Sequence, residues 1–231
     1  AAIQAAGGAP LTVVYRRSGA RHTATLTPTA DENGHYKAGV WVRDSGAGIG
    51  TMSFVDPQRG TFAGLGHSIS DADTGADLTL LSGEIVPVTI TGCIRGAAGS
   101  PGELRGEFAA APAGTVLAND AAGVYGSYTG SCTAPALPVA NLQEVTPGEA
   151  ELWTTVLGTT AQPYTIQVER VTMTGSDPNR NLLIRVTDKR LLDATGGVVQ
   201  GMSGSPIVQN GRLAAVLTHV LVNDPTTGYG I

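Results

Sequence analysis

Short runs in which apolar and polar residues alternate recur along the chain, separated by glycine, proline and small polar residues. Leu11-Thr12-Val13-Val14-Tyr15-Arg16-Arg17 and residues 22–27 read as a hairpin that turns at Ser18-Gly19-Ala20. Residues 39–43, 50–55, 60–65 and 83–94 continue the pattern and are assigned to a first barrel. Residues 106–110, 123–128, 150–157, 164–173, 182–187 and 205–222 are assigned to a second. A period of two places successive side chains on opposite faces of a strand, and turns this closely spaced leave no room for the crossover helices of a parallel sheet. The expectation is an all-β fold of barrel or sandwich type.

Composition refines this picture. A chain of 231 residues suffices for one pair of barrels, and its length also allows two small domains. The 32 glycines, 13 prolines and 14% charged residues suit many short strands joined by tight turns. A net charge of −5 offers no electrostatic footprint for nucleic acid, and no Lys/Arg cluster points to an anionic membrane. Cys93 and Cys132 fit no zinc spacing and read as free thiols, with pairing in an oxidising compartment as the alternative. The loop Asp71-Ala72-Asp73-Thr74-Gly75-Ala76-Asp77 is acidic but lacks the full spacing of a calcium loop, so it reads as a solvated turn. No metal or cofactor is expected.

Chemistry concentrates in Gly201-Met202-Ser203-Gly204-Ser205-Pro206-Ile207-Val208, which sets one serine between glycines ahead of a short strand. A serine hydroxyl attacks only when a base takes its proton and backbone N–H groups meet the developing oxyanion. The glycines allow a tight turn with inward N–H groups, those of Gly201 and Ser203 being the candidates. A plain turn between strands is the competing explanation. Of the four histidines, His22 lies in an alternating segment and His35 in a polar turn, and both read as surface residues. His67 ends the apolar segment Phe62-Ala63-Gly64-Leu65-Gly66, where a rigid strand end would hold a base in place. Asp188 follows the apolar strand Leu182-Leu183-Ile184-Arg185-Val186 and suits a carboxylate that orients an imidazole. Asp71, Asp73, Asp77, Asp193 and Asp224 compete for that role, and spacing excludes none of them. His219, in the strand that should return beside the serine, is a candidate substrate contact, with a satisfied structural histidine as the alternative.

The segments Leu65-Gly66-His67-Ser68-Ile69-Ser70-Asp71-Ala72-Asp73-Thr74-Gly75 and Gln200-Gly201-Met202-Ser203-Gly204-Ser205-Pro206-Ile207-Val208-Gln209-Asn210-Gly211-Arg212-Leu213, continuing through Thr218-His219-Val220-Leu221-Val222-Asn223-Asp224-Pro225, resemble the SpoIVB (stage IV sporulation protein B) peptidase family over nearly all of the chain. The resemblance implies a chymotrypsin-like double β-barrel with the histidine from one barrel, the serine from the other and the cleft between them. It implies His67, Asp188 and Ser203 as catalytic residues, in the order of chymotrypsin-like enzymes. Ser68 departs from the family pattern, which often carries glycine there. The family also implies an N-terminal membrane anchor and a PDZ domain. Residues 1–28 are accordingly read as the C-terminal remnant of a PDZ domain in a shortened chain, and residues 29–231 as the peptidase domain.

The functional expectation is a serine endopeptidase that acts on a protein or peptide substrate and not on nucleic acid. What the resemblance implies further is cleavage of a regulatory membrane protein during endospore formation, triggering late mother-cell sigma-factor activation, together with self-cleavage and secretion from the forespore into the intermembrane space. The alternatives are a catalytically silent module that captures a peptide on a sheet edge and an esterase-like acyl transferase with the same triad.

Overall fold

The computed structural model describes residues 1–17, 19–40, 46–71, 73–174 and 177–231. The expected strand over residues 39–43 lies for the most part outside them. The chain forms two compact units, Ala1–Ala47 and Gly48–Ile231. Among the described residues no helix is long and apolar enough to cross a membrane.

The first unit holds α1 (Ala2–Ala6), β1 (Leu11–Arg17), β2 (Ala20–Leu26), β3 (Thr29–Ala30) and β4 (Tyr36–Lys37). Its main feature is the β1–β2 hairpin, in which Tyr15 opposes and stacks on His22 at 5.4 Å. Arg16 faces Arg21 in the next register position, and Arg17 lies over the Tyr15 ring. The hairpin therefore gathers three arginines, a local basic patch that the low overall charge density did not suggest.

The second unit begins with β5 (Met52–Asp56), β6 (Thr61–Gly64), β7 (Glu84–Ile85), β8 (Val88–Ile94), β9 (Glu103–Phe108), β10 (Gly114–Asp120) and β11 (Gly123–Tyr128). Five of these form an open sheet in the order β5-β6-β11-β10-β7, while β8 and β9 pair with each other. Phe62, Val116 and Val124 make its small core. Residues 106–110 and 123–128 thus do not belong to the second barrel, as periodicity suggested. Most of the former lie in β9, paired with β8, and β11 is hydrogen-bonded between β6 and β10.

A closed barrel follows, made of β12 (Gly148–Thr154), β13 (Gln162–Val171), β14 (Leu182–Val186), β15 (Pro206–Gln209), β16 (Arg212–Leu221) and β17 (Asp224–Gly230), with α2 (Lys189–Thr195) between β14 and β15. The strand order β12-β13-β14-β17-β16-β15 closes on itself through β15 and β12. Alternate residues point inward: Leu152, Ile166, Val168, Ile184 and Ile207 are fully buried in one core. Ile90 and Leu104, from β8 and β9, join that same core. The expected strand over residues 205–222 is two strands, joined by Asn210 and Gly211 at φ 53° and 73°. Positive φ at both positions is the signature of the two-residue turn whose twist matches a hairpin. The double-barrel fold that the resemblance implied is the fold observed, its first half open and its second closed.

Candidate active site

His67 owes its place to a left-handed turn. After β6, Leu65 and Gly66 both take φ 70°, which swings the chain out of the sheet. A Cβ at Gly66 would lie 2.9 Å from methyl groups of both Thr218 and Val216, so only glycine lets this segment rest against β16. Beyond His67, the Asn119 side chain accepts from the Ile69 amide at 2.7 Å and donates to the carbonyls of Ile69 and Leu78. Ser68 donates its hydroxyl to Asp77, which also accepts from Ser70 at 3.3 Å. The Asp71 carboxylate accepts from the Thr74 amide and hydroxyl, both at 2.9 Å. Among the described residues no group of three His, Cys, Asp or Glu is arranged to hold a metal ion.

The imidazole itself has two neighbours. Its Nδ1 lies 2.8 Å from the Ser68 carbonyl. A carbonyl can only accept, so the proton of the neutral ring sits on Nδ1 and Nε2 keeps its lone pair. The ring of His219 packs against it, centroid to centroid 5.2 Å and tilted by 38°.

Ser203 is held from the other side. Met202 is fully buried in the closed-barrel core, which fixes the loop by removing about 1.5–3 kcal/mol worth of apolar side chain from water and turns Ser203 toward the surface. Gly201 and Gly204 take φ 97° and 93°, and a Cβ at Gly204 would lie 2.1 Å from the Thr51 carbonyl. The Ser203 hydroxyl donates to the carbonyl of Thr218 at 2.9 Å. Thr218 is the extra residue of a β-bulge between the pairs Leu217↔Gly230 and His219↔Tyr229. Lacking a register partner in β17, it can offer its carbonyl to the serine loop. Its own hydroxyl anchors the bulge by donating to the carbonyls of Asn179 and Tyr229 at 2.6 and 3.2 Å.

Backbone amides around the serine divide in two. The N–H groups of Gln200, Met202, Gly204 and Ser205 donate to Gly102, Val199, Leu217 and Met202 respectively. Those of Gly201 and Ser203 donate to no acceptor among the described residues. The two amides singled out by the sequence are thus the two left available in this run.

Asp188 lies elsewhere in the network. It caps α2, accepting from the Arg190 amide at 2.8 Å, and its second oxygen accepts from the Thr165 amide at 3.2 Å. The Arg190 guanidinium grips both oxygens at 3.1 and 2.7 Å. This guanidinium, together with the two amides, holds the carboxyl below the usual range at about 2, against the opposing effect of burial. His67 packs on His219, and Ser203 bonds to Thr218, the residue before His219; the Asp188 carboxylate is not bonded to the imidazole. Of the other candidates, Asp193 pairs with Lys189 and Asp224 with Arg185, Thr226 and Thr227. Among the described residues no carboxylate hydrogen-bonds His67.

One organising residue escaped the sequence reading. Thr51 donates its hydroxyl to the Gly201 carbonyl at 3.0 Å, while its amide donates to Ser203 and its carbonyl accepts from Leu65. No motif surrounds it, and only the fold brings it to the site. Cys93 and Cys132 are both free thiols, and Cys132 is exposed in the loop before β12.

Compared with known proteins, the chain matches the family model described as SpoIVB peptidase S55 over residues 34–231. No curated protein matches it.

Proposed function

Because the chain belongs to the SpoIVB peptidase S55 family and is therefore a serine peptidase, a hydrolase acting on peptide bonds, we propose that Ser203 is its nucleophile and His67 its general base. Ser203 attacks the carbonyl carbon of the scissile bond as its proton passes to Nε2 of His67. The carbonyl oxygen takes up the negative charge and is met by the N–H groups of Gly201 and Ser203. The C–N bond then breaks, Nε2 returns the proton to the leaving nitrogen, and water cleaves the remaining ester by the same route. The observation that carries this reading is the pair of unused amides beside a serine whose anchor, Thr218, immediately precedes a histidine packed on His67. Asp188, the orienter implied by the resemblance, takes that part only once its carboxylate leaves Arg190. In the resting arrangement the Ser68 carbonyl already fixes the tautomer.

Protein or peptide substrates follow from the family. The finer reading is the cleavage of a regulatory membrane protein during endospore formation, which triggers late mother-cell sigma-factor activation, with self-cleavage and with release from the forespore into the intermembrane space. His219, packed on His67, contacts the bound peptide in this reading.

A second reading, a silent peptide-binding module, is favoured by one observation: the Ser203 hydroxyl donates to Thr218 and not to His67. A serine hydroxyl turns about its side-chain bonds and catalytic hydrogen bonds are often misaligned without substrate, so the arrangement is compatible with a substrate-free peptidase. Labelling with a fluorophosphonate tests the choice. Covalent modification that disappears in Ser203→Ala and His67→Ala, together with cleavage of a peptide library, supports the peptidase; an unlabelled wild-type chain that still binds peptides establishes the binding module. Turnover of small esters without peptide cleavage would mark an acyl transferase.

A further inference from the structure

A serine peptidase needs its base held in one plane and eased into a positive charge. Here the partner usually assigned both tasks is bonded elsewhere. The Ser68 carbonyl meets the first need in part by fixing the tautomer of His67, yet a backbone carbonyl at one ring nitrogen leaves the ring free to tilt about that bond. What opposes the tilt is His219, whose ring lies 5.2 Å from that of His67. We propose that His219 is a positioning residue for the base: an uncharged imidazole that braces the His67 ring and takes up, through its π face, part of the charge His67 gains on removing the Ser203 proton. The proposal rests on the peptidase reading above and goes beyond a substrate contact.

Geometry requires His219 to be uncharged. Its Nδ1 is buried and has no hydrogen-bond partner among the described residues. A buried N–H without an acceptor is costlier than an unused lone pair, so the proton of the neutral ring sits on Nε2 and a second proton has no favourable place. The charged and titratable groups around it are His67 at the end of the first sheet, Asp177 and Arg180 at the turn Pro178–Arg180, and Tyr229 on β17. Arg180 forms an ion pair with Asp177 at 3.0 Å and lies over the Tyr229 ring. Burial first, then the charges of His67 and Arg180, push His219 below the usual histidine range, and Asp177 opposes them. An uncharged aromatic ring within about 6 Å of a cation attracts it. The imidazolium that forms on His67 during attack has such a ring beside it.

The placement also couples the two reacting groups. His219 directly follows Thr218, whose carbonyl holds the Ser203 hydroxyl. One bulged segment of β16 therefore touches both the nucleophile and the base, and a shift of that segment moves both.

A small fluorophosphonate such as diisopropyl fluorophosphate separates positioning from substrate binding, because it needs the serine, the base and the oxyanion hole but no extended peptide. His219→Ala is expected to slow phosphonylation of Ser203 by about tenfold to a hundredfold, the scale set by misplacing a reacting group by an ångström. His219→Phe restores the ring and should recover most of that rate. His219→Lys places a fixed positive charge beside His67 and should move the acidic limb of the pH–rate profile to lower pH than in the Phe variant, since a neighbouring cation lowers the pKa of the base. Thermal unfolding of each variant accounts for any loss of folded protein, and rates are read per folded molecule. Wild-type labelling rates in the Ala variant, or coincident acidic limbs in the Lys and Phe variants, overturn the role of His219 while leaving Ser203 as nucleophile. Failure of the wild-type chain to label overturns the peptidase reading, and this proposal with it.

Discussion

The amide of Thr51 donates to the carbonyl of Ser203 at 2.9 Å, and through that bond the segment entering the first sheet holds the loop that carries the proposed nucleophile. The same residue accepts from the Leu65 amide at 3.2 Å, two positions before His67. It donates its hydroxyl to Gly201 at 3.0 Å and receives a long contact from the Ser205 hydroxyl at 3.5 Å. Thr51 is thus bonded both to the segment that leads to His67 and to the loop that holds Ser203.

Thr51→Val keeps the shape and both backbone bonds but removes the hydroxyl that fixes Gly201. Stability should fall by about 1 kcal/mol, the usual net worth of one such hydrogen bond. Turnover should fall by about tenfold or more, because Gly201 carries one of the two amides proposed to meet the oxyanion. Urea unfolding and kcat/KM on one peptide check both. An unchanged kcat in a folded variant would show that Gly201 needs no such restraint.

Gly204→Ala should be among the most damaging substitutions in the chain. Its φ is 93°, and the added methyl would meet the Thr51 carbonyl at 2.1 Å and the Leu65 amide at 2.5 Å, all backbone atoms that cannot swing aside. Gly211→Ala provides the control: its φ of 73° is also left-handed, but nothing lies within 4 Å. The control should lose about 1–2 kcal/mol for the left-handed backbone alone. The Gly204 variant should lose several degrees of Tm more, or fail to fold, and equal melting curves would contradict the packing described for the serine loop.

The Asp188 carboxylate, held at about 2 mainly by Arg190, makes stability depend on pH in a definite direction. Its folded value is depressed, so its contribution is complete above the ordinary carboxylate pKa and disappears as pH falls from about 4 toward 2. Asp188→Asn should melt lower than wild type at neutral pH, and the gap should close over that acidic window. Subtracting the two curves removes the parallel effect of Asp224, which is also held at about 2. On its present contacts Asp188→Asn keeps turnover within a few-fold of wild type. A loss of orders of magnitude in a folded variant would show that this carboxylate reaches His67 in the working enzyme.

The serine and histidine segments were legible in the sequence because each is a local signal, a glycine-flanked hydroxyl and a histidine at the end of an apolar strand. Other features were hidden for physical reasons. Residues 224–230 carry the turn-forming Pro225, Gly228 and Gly230, yet they form β17. Glycine is needed inside the barrel there: a Cβ at Gly228 would press on the His219 carbonyl and on Leu217 at 3.1 Å. Pro225 lies beside the register shift between Val220 and Leu221, where a missing N–H is tolerated. The short helix α2 has too few turns for periodicity to reveal, although its Asp188 cap and buried Leu191 are ordinary helix features. Which strands pair, and therefore which half of the molecule β11 serves, is decided by contacts remote in sequence. For the same reason, spacing could nominate Asp188 but could not say which cation or imidazole it would meet.

The bulge at Thr218 has a consequence for how this protein tolerates change in length. Delete that residue and Leu217 and His219 become consecutive partners of Gly230 and Tyr229, a more regular ladder at that point, but the serine loses the oxygen it rests on. In the peptidase reading the chemistry depends on one strand being a residue longer than its neighbour, so a shortened variant of this kind should lose activity beyond any loss of folded protein.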